Sequence, residues 1–397
     1  MPPSATTRTT FRHELLRSLS TGIVETAGRT FLLVIAVQHF QAGAIAKSLI
    51  AAGGSMGLLL TPLVVWVVHR QLWRTARSAS VLFATGCVGF LVPALLPWPW
   101  LFVPGSVIGM MAGYLAIPLL TQMYQENYPA VERGRLFSRT VMVRIGGAIL
   151  FSDLGGRILE GGSERYRILM LVFAAAQGTA AWCLYRCPSS PLQGDNAEHP
   201  LKPMRLIRED DRFRNTLISW MLMGFANLMM LPLRIEYLAH PEKYHLAFVP
   251  SAVAIAWITG VIPNIARLIM NPIWGWLFDR MNFFALRAVL NAGFAIGILA
   301  FFVSDSMTGL VLGAIVYGIS EAGGDVAWSL WVTKLAPADR VADYMGVHTC
   351  MTGVRGVIAP AVGFAAVGHM TLPQIGVASA ILIVGGSLFL VPSMKRR

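Results

Sequence analysis

Apolar residues in this chain run in long stretches broken by short polar segments. Twelve stretches read as membrane-crossing helices: 19–39, 45–68, 79–97, 101–123, 137–158, 167–186, 215–238, 248–278, 284–303, 308–332, 346–366 and 374–393. About 20 mainly apolar residues are enough to cross the hydrocarbon layer. The eighth stretch is long and holds Pro263 and Pro272, which predicts a tilt or a kink. The first and fifth carry internal charges and stand out least. The longest polar stretch, 188–214, mixes Pro, Ser, Gly, Asn and both signs of charge and reads as a linker. It divides the chain six plus six.

Charge fixes the solvent and the orientation. Only 13% of the 397 residues are charged and 55% are hydrophobic, whereas a soluble domain carries about a quarter charged residues. Too little polar surface remains to face water, so the bilayer is the expected solvent. The net charge of +12 raises the question of a nucleic-acid partner. The basic residues lie in short tracts between apolar runs, and no nucleic acid is expected. Arg70, Arg74, Arg77, Arg133, Arg135, Arg139, Arg186, Arg280, Arg287, Lys334, Arg340, Lys395, Arg396, Arg397 and the basic linker all fall on one side of the predicted spans, with Arg17 and the basic N-terminal segment. They outnumber Lys47, Arg157, Arg165, Arg167 and Lys243 on the other side by roughly four to one. Both termini are therefore expected in the cytoplasm. The predicted class is all-α: an N-terminal tail 1–18, a six-helix bundle 19–187, a cytoplasmic linker 188–214, a second bundle 215–393 and a tail 394–397. No cleavable leader is read in the N-terminal segment. Cys87, Cys183, Cys187 and Cys350 form no Cys-x-x-Cys pair and read as small buried side chains.

The two halves echo each other. Pro62, Trp66 and Arg70 in the first half align without a gap on Pro272, Trp276 and Arg280 in the second, each at the end of a second span. Pro129-Ala130-Val131-Glu132-Arg133 resembles Pro337-Ala338-Asp339-Arg340, and Arg144 of span five matches Arg355 of span eleven.

With these echoes, the six-plus-six chain resembles the major facilitator superfamily. That family's signature after spans two and eight runs Gly-x-x-x-Asp-Arg-x-Gly-Arg-Arg. Gly275, Asp279 and Arg280 match its second copy, while Asn282 takes the later glycine position and no basic residue follows until Arg287. In the first copy Val65 replaces the glycine, His69 replaces the aspartate and only Arg70 stands. The loop from Tyr128 to Arg135, with Arg133, also looks like the family's loop between spans four and five. The resemblance implies a twelve-helix fold and transport by alternating access, the halves rocking about a central site. Asp279 would sit at the cytoplasmic mouth, as a gate latch on a helix N-terminus or as a solvated loop acid.

An ionisable group inside a span is costly, so it faces a cavity or a partner. Glu25 and Arg29 lie four apart in span one and form a local ion pair or part of a polar lining. Asn227 occupies a comparable depth in span seven, following Gly224 as Glu25 follows Gly22. Arg144, Arg355 and Arg267 of span eight would draw an anionic or zwitterionic solute, or neutralise acids on neighbouring spans. Glu321 and Asp325 lie four apart on span ten, with Trp328 on the same face. They would share a proton, pair with Arg355, or do both. Asp153 with Arg157 reads as a local pair, Arg234 and Glu236 as interfacial, and His348 as structural or a proton carrier.

No phosphate-binding loop, nucleophile elbow or zinc motif is present, so no cofactor, no metal and no enzyme activity are expected. The expected function is secondary transport of a small organic solute, with protons as a candidate coupling ion. Two other readings remain open: a drug or metabolite efflux antiporter, and a non-transporting sensor or assembly factor on the same fold. The glycine-proline signature that drug antiporters carry in span five is absent, since span five holds no proline. The expected setting is a monomer in a bacterial cytoplasmic membrane.

Overall fold

The computed structural model describes residues 5–191, 202–337 and 341–390. The expected tail 394–397, linker residues 192–201 and the echo residues Asp339 and Arg340 lie outside the described residues. Among the described residues twelve main helices follow in order. The first six are α1 (Ala5–Gln38), α2 (Ala44–Arg70), α3 (Thr75–Leu95), α4 (Pro99–Asn127), α5 (Ala130–Glu160) and α6 (Tyr166–Arg186). The second six are α7 (Asp211–Ala239), α8 (Ala252–Arg280), α9 (Phe283–Val303), α10 (Met307–Leu330), α11 (Val341–Ala366) and α12 (Leu372–Leu388). No strand occurs among the described residues. Ten of these helices are long and apolar enough to cross a membrane. The others are α12, which is short, and α5, which carries Arg133, Arg135, Arg139, Arg144 and Arg157. Exposed Ile45, Val81, Leu150, Ile269 and Ile381 on the helix exteriors fit contact with lipid. The chain is a multi-pass integral membrane protein.

The expected first span, 19–39, belongs to a helix that starts at Ala5. Its first turns are held rather than solvated: Thr7 Oγ1 donates to the Asn127 carbonyl at 2.9 Å, and Asn127 Nδ2 donates to Thr10 Oγ1 at 3.0 Å. Side chains start several other helices by accepting free backbone N–H groups. Asp210, Ser251 and Ser306 do this for α7, α8 and α10. Thr371 and Gln374 form a capping box on α12. Asn282, which stands where the signature has glycine, caps α9 by accepting from the N–H groups of Phe284 and Ala285.

Among the described residues two helices contain π turns, Ala27–Phe31 in α1 and Trp257–Val261 in α8. The second lies just before Pro263, whose missing N–H frees the carbonyl one turn back. Helix α8 nevertheless continues through both Pro263 and Pro272 to Arg280.

The chain divides into two compact units, Met1–Gln41 with Leu49–Leu201, and Ala42–Ser48 with Lys202–Arg397. Within the first, α1 packs on α5 and α6, and α3 packs on α4 and α6. Within the second, α7 packs on α11 and α12, and α9 packs on α10 and α12. The pairing repeats with an offset of six helices, so the echo in the sequence is an echo of packing. The aligned arginines repeat it in detail: Arg70 lies 5.3 Å from the Trp66 ring and Arg280 lies 4.5 Å from the Trp276 ring. Each is a cation–π pair one helical turn apart.

Small residues let the helices approach. A Cβ on Gly22 of α1 would collide with the Arg144 carbonyl on α5. Gly22→Val should therefore drive α1 and α5 apart, at a cost of about 1–3 kcal/mol for overpacking. The check is the melting temperature of the purified protein in detergent, which should fall, whereas Gly146→Ala, with open space at its Cβ, should leave it nearly unchanged.

Candidate functional site

In the first unit the contact at Gly22 brings α1 and α5 together one turn before Glu25. The Glu25 carboxylate lies between two arginines, with Arg29 Nε at 2.9 Å from Oε1 and Arg144 Nε at 3.4 Å from Oε2. Arg29 belongs to the π turn of α1, a departure from α geometry that often marks a functional position. About a third of the Arg144 side chain is exposed, and its Nε meets Glu25 at ion-pair distance without making a hydrogen bond. Glu25, Arg29 and Arg144 thus converge, and Arg144 keeps donor capacity to spare.

In the second unit Arg267 of α8 pairs with Asp325 of α10, Nε to Oδ2, at 2.6 Å. The guanidinium is almost wholly buried and reaches Asn264 Oδ1 at 3.3 Å. The carboxylate is partly open, with 37% of its side chain exposed. Glu321 lies one turn earlier on α10, half-buried. The bond from Trp274 Nε1 to the Ile319 carbonyl, 2.8 Å, helps hold α8 against α10. Asp325 therefore meets Arg267, where the sequence offers Arg355 as a partner.

Arg355 and Arg144 are sequence mates with different surroundings. Arg355 is buried, donates to the Trp220 carbonyl and fills the space beside Gly224. Arg287, counted in the sequence among the loop cations, is wholly buried and lies over the Trp220 ring at 3.5 Å. His348 is also wholly buried, with the rings of Trp220, Trp328 and Trp331 at 5.4, 5.3 and 5.0 Å. Asn227 lines a small cleft within the second unit together with Met230, Arg234, Phe301 and Tyr317. Arg234 lies 4.0 Å from the Tyr317 ring.

Arg234 and Glu236, expected to be interfacial, are both buried within the second unit. Glu236 receives Lys47 Nζ at 2.6 Å, and His240 and Lys243 lie at 3.4 and 3.5 Å from the same carboxylate. Of the loop-signature residues, Asp279 is exposed and makes no latch contact among the described residues. Gly275 has open space where a Cβ would stand. Arg70 and Arg280 stack on tryptophans as above. In the loop between α4 and α5, Arg133 donates to the carbonyls of Gln125 and Tyr128 at 3.2 and 3.3 Å, which satisfies the end of α4.

One cluster escaped the sequence reading. Glu14 is fully buried and takes two hydrogen bonds from Arg17, at 2.7 and 2.8 Å. Tyr124 donates to Glu14 at 2.6 Å and accepts from Arg17 at 2.8 Å. The Glu-x-x-Arg spacing was the available signal, hidden by assigning the segment to a tail. The described cysteines are free. Burial, with Glu14 nearby, pushes the Cys187 thiol up to about 12, so it stays protonated at neutral pH. No cluster able to hold a metal occurs among the described residues.

A family model described as Major Facilitator Superfamily matches residues 19–360. The multidrug resistance protein MdtH of Yersinia pestis (strain Pestoides F) is 25% identical over 245 residues, covering 59% of this chain and 56% of that protein. MdtH of Yersinia pseudotuberculosis serotype O:3 (strain YPIII) gives the same figures. The matched region spans only about half the length of these curated relatives. Among solved structures, nucleoside transporter NupG superposes with a TM-score of 0.75 at 14% identity, covering 99% of this chain and 100% of that one. A D-xylose–proton symporter gives 0.72 at 19% identity, covering 97% and 96%. A POT family transporter in complex with a thioalcohol-conjugated peptide gives 0.76 at 11%, covering 98% and 96%. At these identities the likeness shows the fold.

The buried Glu14–Arg17 pair allows a direct test. Glu14→Ala leaves a buried guanidinium without its acid and should cost about 3–5 kcal/mol, whereas removing both charges should be far milder. Chemical denaturation of Glu14→Ala and of the Glu14→Leu, Arg17→Met double variant checks this. Equal losses would show that the pair carries no coupling.

Proposed function

The chain belongs to the Major Facilitator Superfamily, and from that premise we propose that it is a secondary active transporter moving a small anionic or zwitterionic organic solute by alternating access. The observation that carries the substrate preference is Arg144. It is partly exposed and only loosely held by a carboxylate that already faces Arg29. A solute carboxylate would complete its hydrogen bonding, since guanidinium binds carboxylate through paired N–H donors.

Coupling is assigned in this proposal to Asp325 and Glu321. Asp325 holds the buried Arg267 yet is itself partly open. A proton on Asp325 cancels the charge that Arg267 faces, so protonation and loss of the ion pair are linked. Such a link lets a proton gradient bias one arrangement of α8 and α10 over another. The proposed setting is a bacterial cytoplasmic membrane, with both termini inside.

Efflux of drugs is the second reading, favoured by the 25% identity to MdtH. Against it stands the absence of proline from α5. The two differ in cargo: efflux of drugs requires passage of lipophilic compounds, whereas the favoured reading requires uptake or exchange of acids.

Purified protein in liposomes should carry small organic acids or amino acids and ignore lipophilic cations. Arg144→Ala should lower the uptake rate at least tenfold, the equivalent of about 1.4 kcal/mol. Asp325→Asn should abolish accumulation driven by a pH gradient while preserving solute exchange, and Glu321→Gln should weaken accumulation. Transport of cations alone, or full accumulation in both acid variants, would sink the proposal.

A further inference from the structure

The repeat makes one position in the second unit conspicuous. In the first unit Gly22 admits the backbone of the Arg144 segment, and Glu25, three residues on, faces the guanidinium. In the second unit Gly224 makes room for Arg355. Three residues on from Gly224 stands Asn227, so the mate of Glu25 carries no charge.

A second cation deepens the deficit. Arg287 of α9 is wholly buried, and none of its three guanidinium nitrogens has a hydrogen-bond partner among the described residues. Its described contact is the face of Trp220, the residue whose carbonyl accepts from Arg355. His348, two turns before Arg355 on α11, has both ring nitrogens unpartnered among the described residues. The Trp220 and Trp331 indole N–H groups and the Thr352 hydroxyl are unpartnered there as well.

These groups share one chemistry. Two guanidinium groups and two indole N–H groups only donate, and the hydroxyl and imidazole can donate. No carboxylate is paired with Arg287 or Arg355 among the described residues. Buried cations are retained when an anion or a dense set of acceptors compensates them, and the described residues supply one carbonyl. The chemical complement of such a donor set is an acceptor carrying negative charge.

We infer that Arg287, Arg355 and His348, walled by Trp220 and Trp331, form a binding site for one small anion. Its ligand class is a monovalent acceptor, either the carboxylate of an organic solute or a free inorganic ion. The solute case rests on the transporter reading and gives the anionic group a place in the second unit. The free-ion case stands without it. Arg287 covers Trp220 in this conformation, so an arriving anion must shift that stack. Tryptophan emission should report the event.

The test uses the full chain purified in detergent, free of chloride, at fixed ionic strength set with methanesulfonate. Potassium acetate, potassium benzoate and potassium chloride are titrated separately, with intrinsic fluorescence and melting temperature as readouts. A saturable response with a raised melting temperature is expected for at least one of them. Response to carboxylates assigns the solute source, and response to chloride alone assigns the free ion. Arg287→Met should raise the half-saturating concentration at least tenfold, and exposed Arg157→Met should change it less than twofold. If Arg287→Met fails to fold, Asn227→Glu carries the test. It restores the acid of the first unit and should abolish the response while raising the anion-free melting temperature. No saturable response in the unaltered chain, or one that survives Asn227→Glu unchanged, overturns the inference. Liposome uptake run in parallel separates the two proposals. Binding without transport leaves this site standing and removes the transporter reading, and transport without binding does the reverse.

Discussion

Charge buried away from water is the constraint on which this structure turns. A guanidinium inside a helix bundle must meet an acid, a carbonyl or an aromatic face, because lipid offers none of these. The chain uses all three. Glu14 and Tyr124 meet Arg17, Glu25 meets Arg29 and Arg144, and Asp325 meets Arg267. The Trp220 carbonyl meets Arg355, and the Trp220 ring meets Arg287. Helix pairs that pack on each other carry contacts of this kind: α1 with α5, α8 with α10, and α7 with α11. Packing and charge compensation are thus one problem, since the distance from donor to acceptor is set by how closely two helices lie.

The spans were legible because hydrophobic length is a strong signal and lipid enforces it. The repeat was legible because its residues recur in order, and Arg70 and Arg280 show that the recurrence is physical, each arginine stacking on its own tryptophan. The start of α1 was not legible. Thr7, Thr10, Glu14 and Arg17 look like a solvated tail to any scale that scores residues singly, yet they satisfy one another and α4.

Partnership was harder to read than position. Glu25 with Arg29 follows from helical periodicity. Asp325 with Arg267 joins residues 58 apart on different helices, and nothing local distinguishes that choice from Arg355. Arg287 was hidden for another reason: it lies one turn into α9, where an arginine normally reaches the surface, and the stack on Trp220 holds it inside instead. Departures from the loop signature proved partly explicable. Asn282 occupies a glycine position and serves as the N-cap of α9, a task that glycine performs less specifically.

The π turn at Ala27–Phe31 has a consequence for kinship. A π turn holds one residue more than the α geometry around it, and is equivalent to a single-residue insertion in a helix. Residues on either side of it are therefore rotated by about 100° relative to an uninterrupted α-helix. A relative lacking the turn would show a one-residue gap in its first span, between the positions of Glu25 and Phe31. Ungapped alignment across that point would pair this chain's inward-facing positions with the relative's neighbouring face.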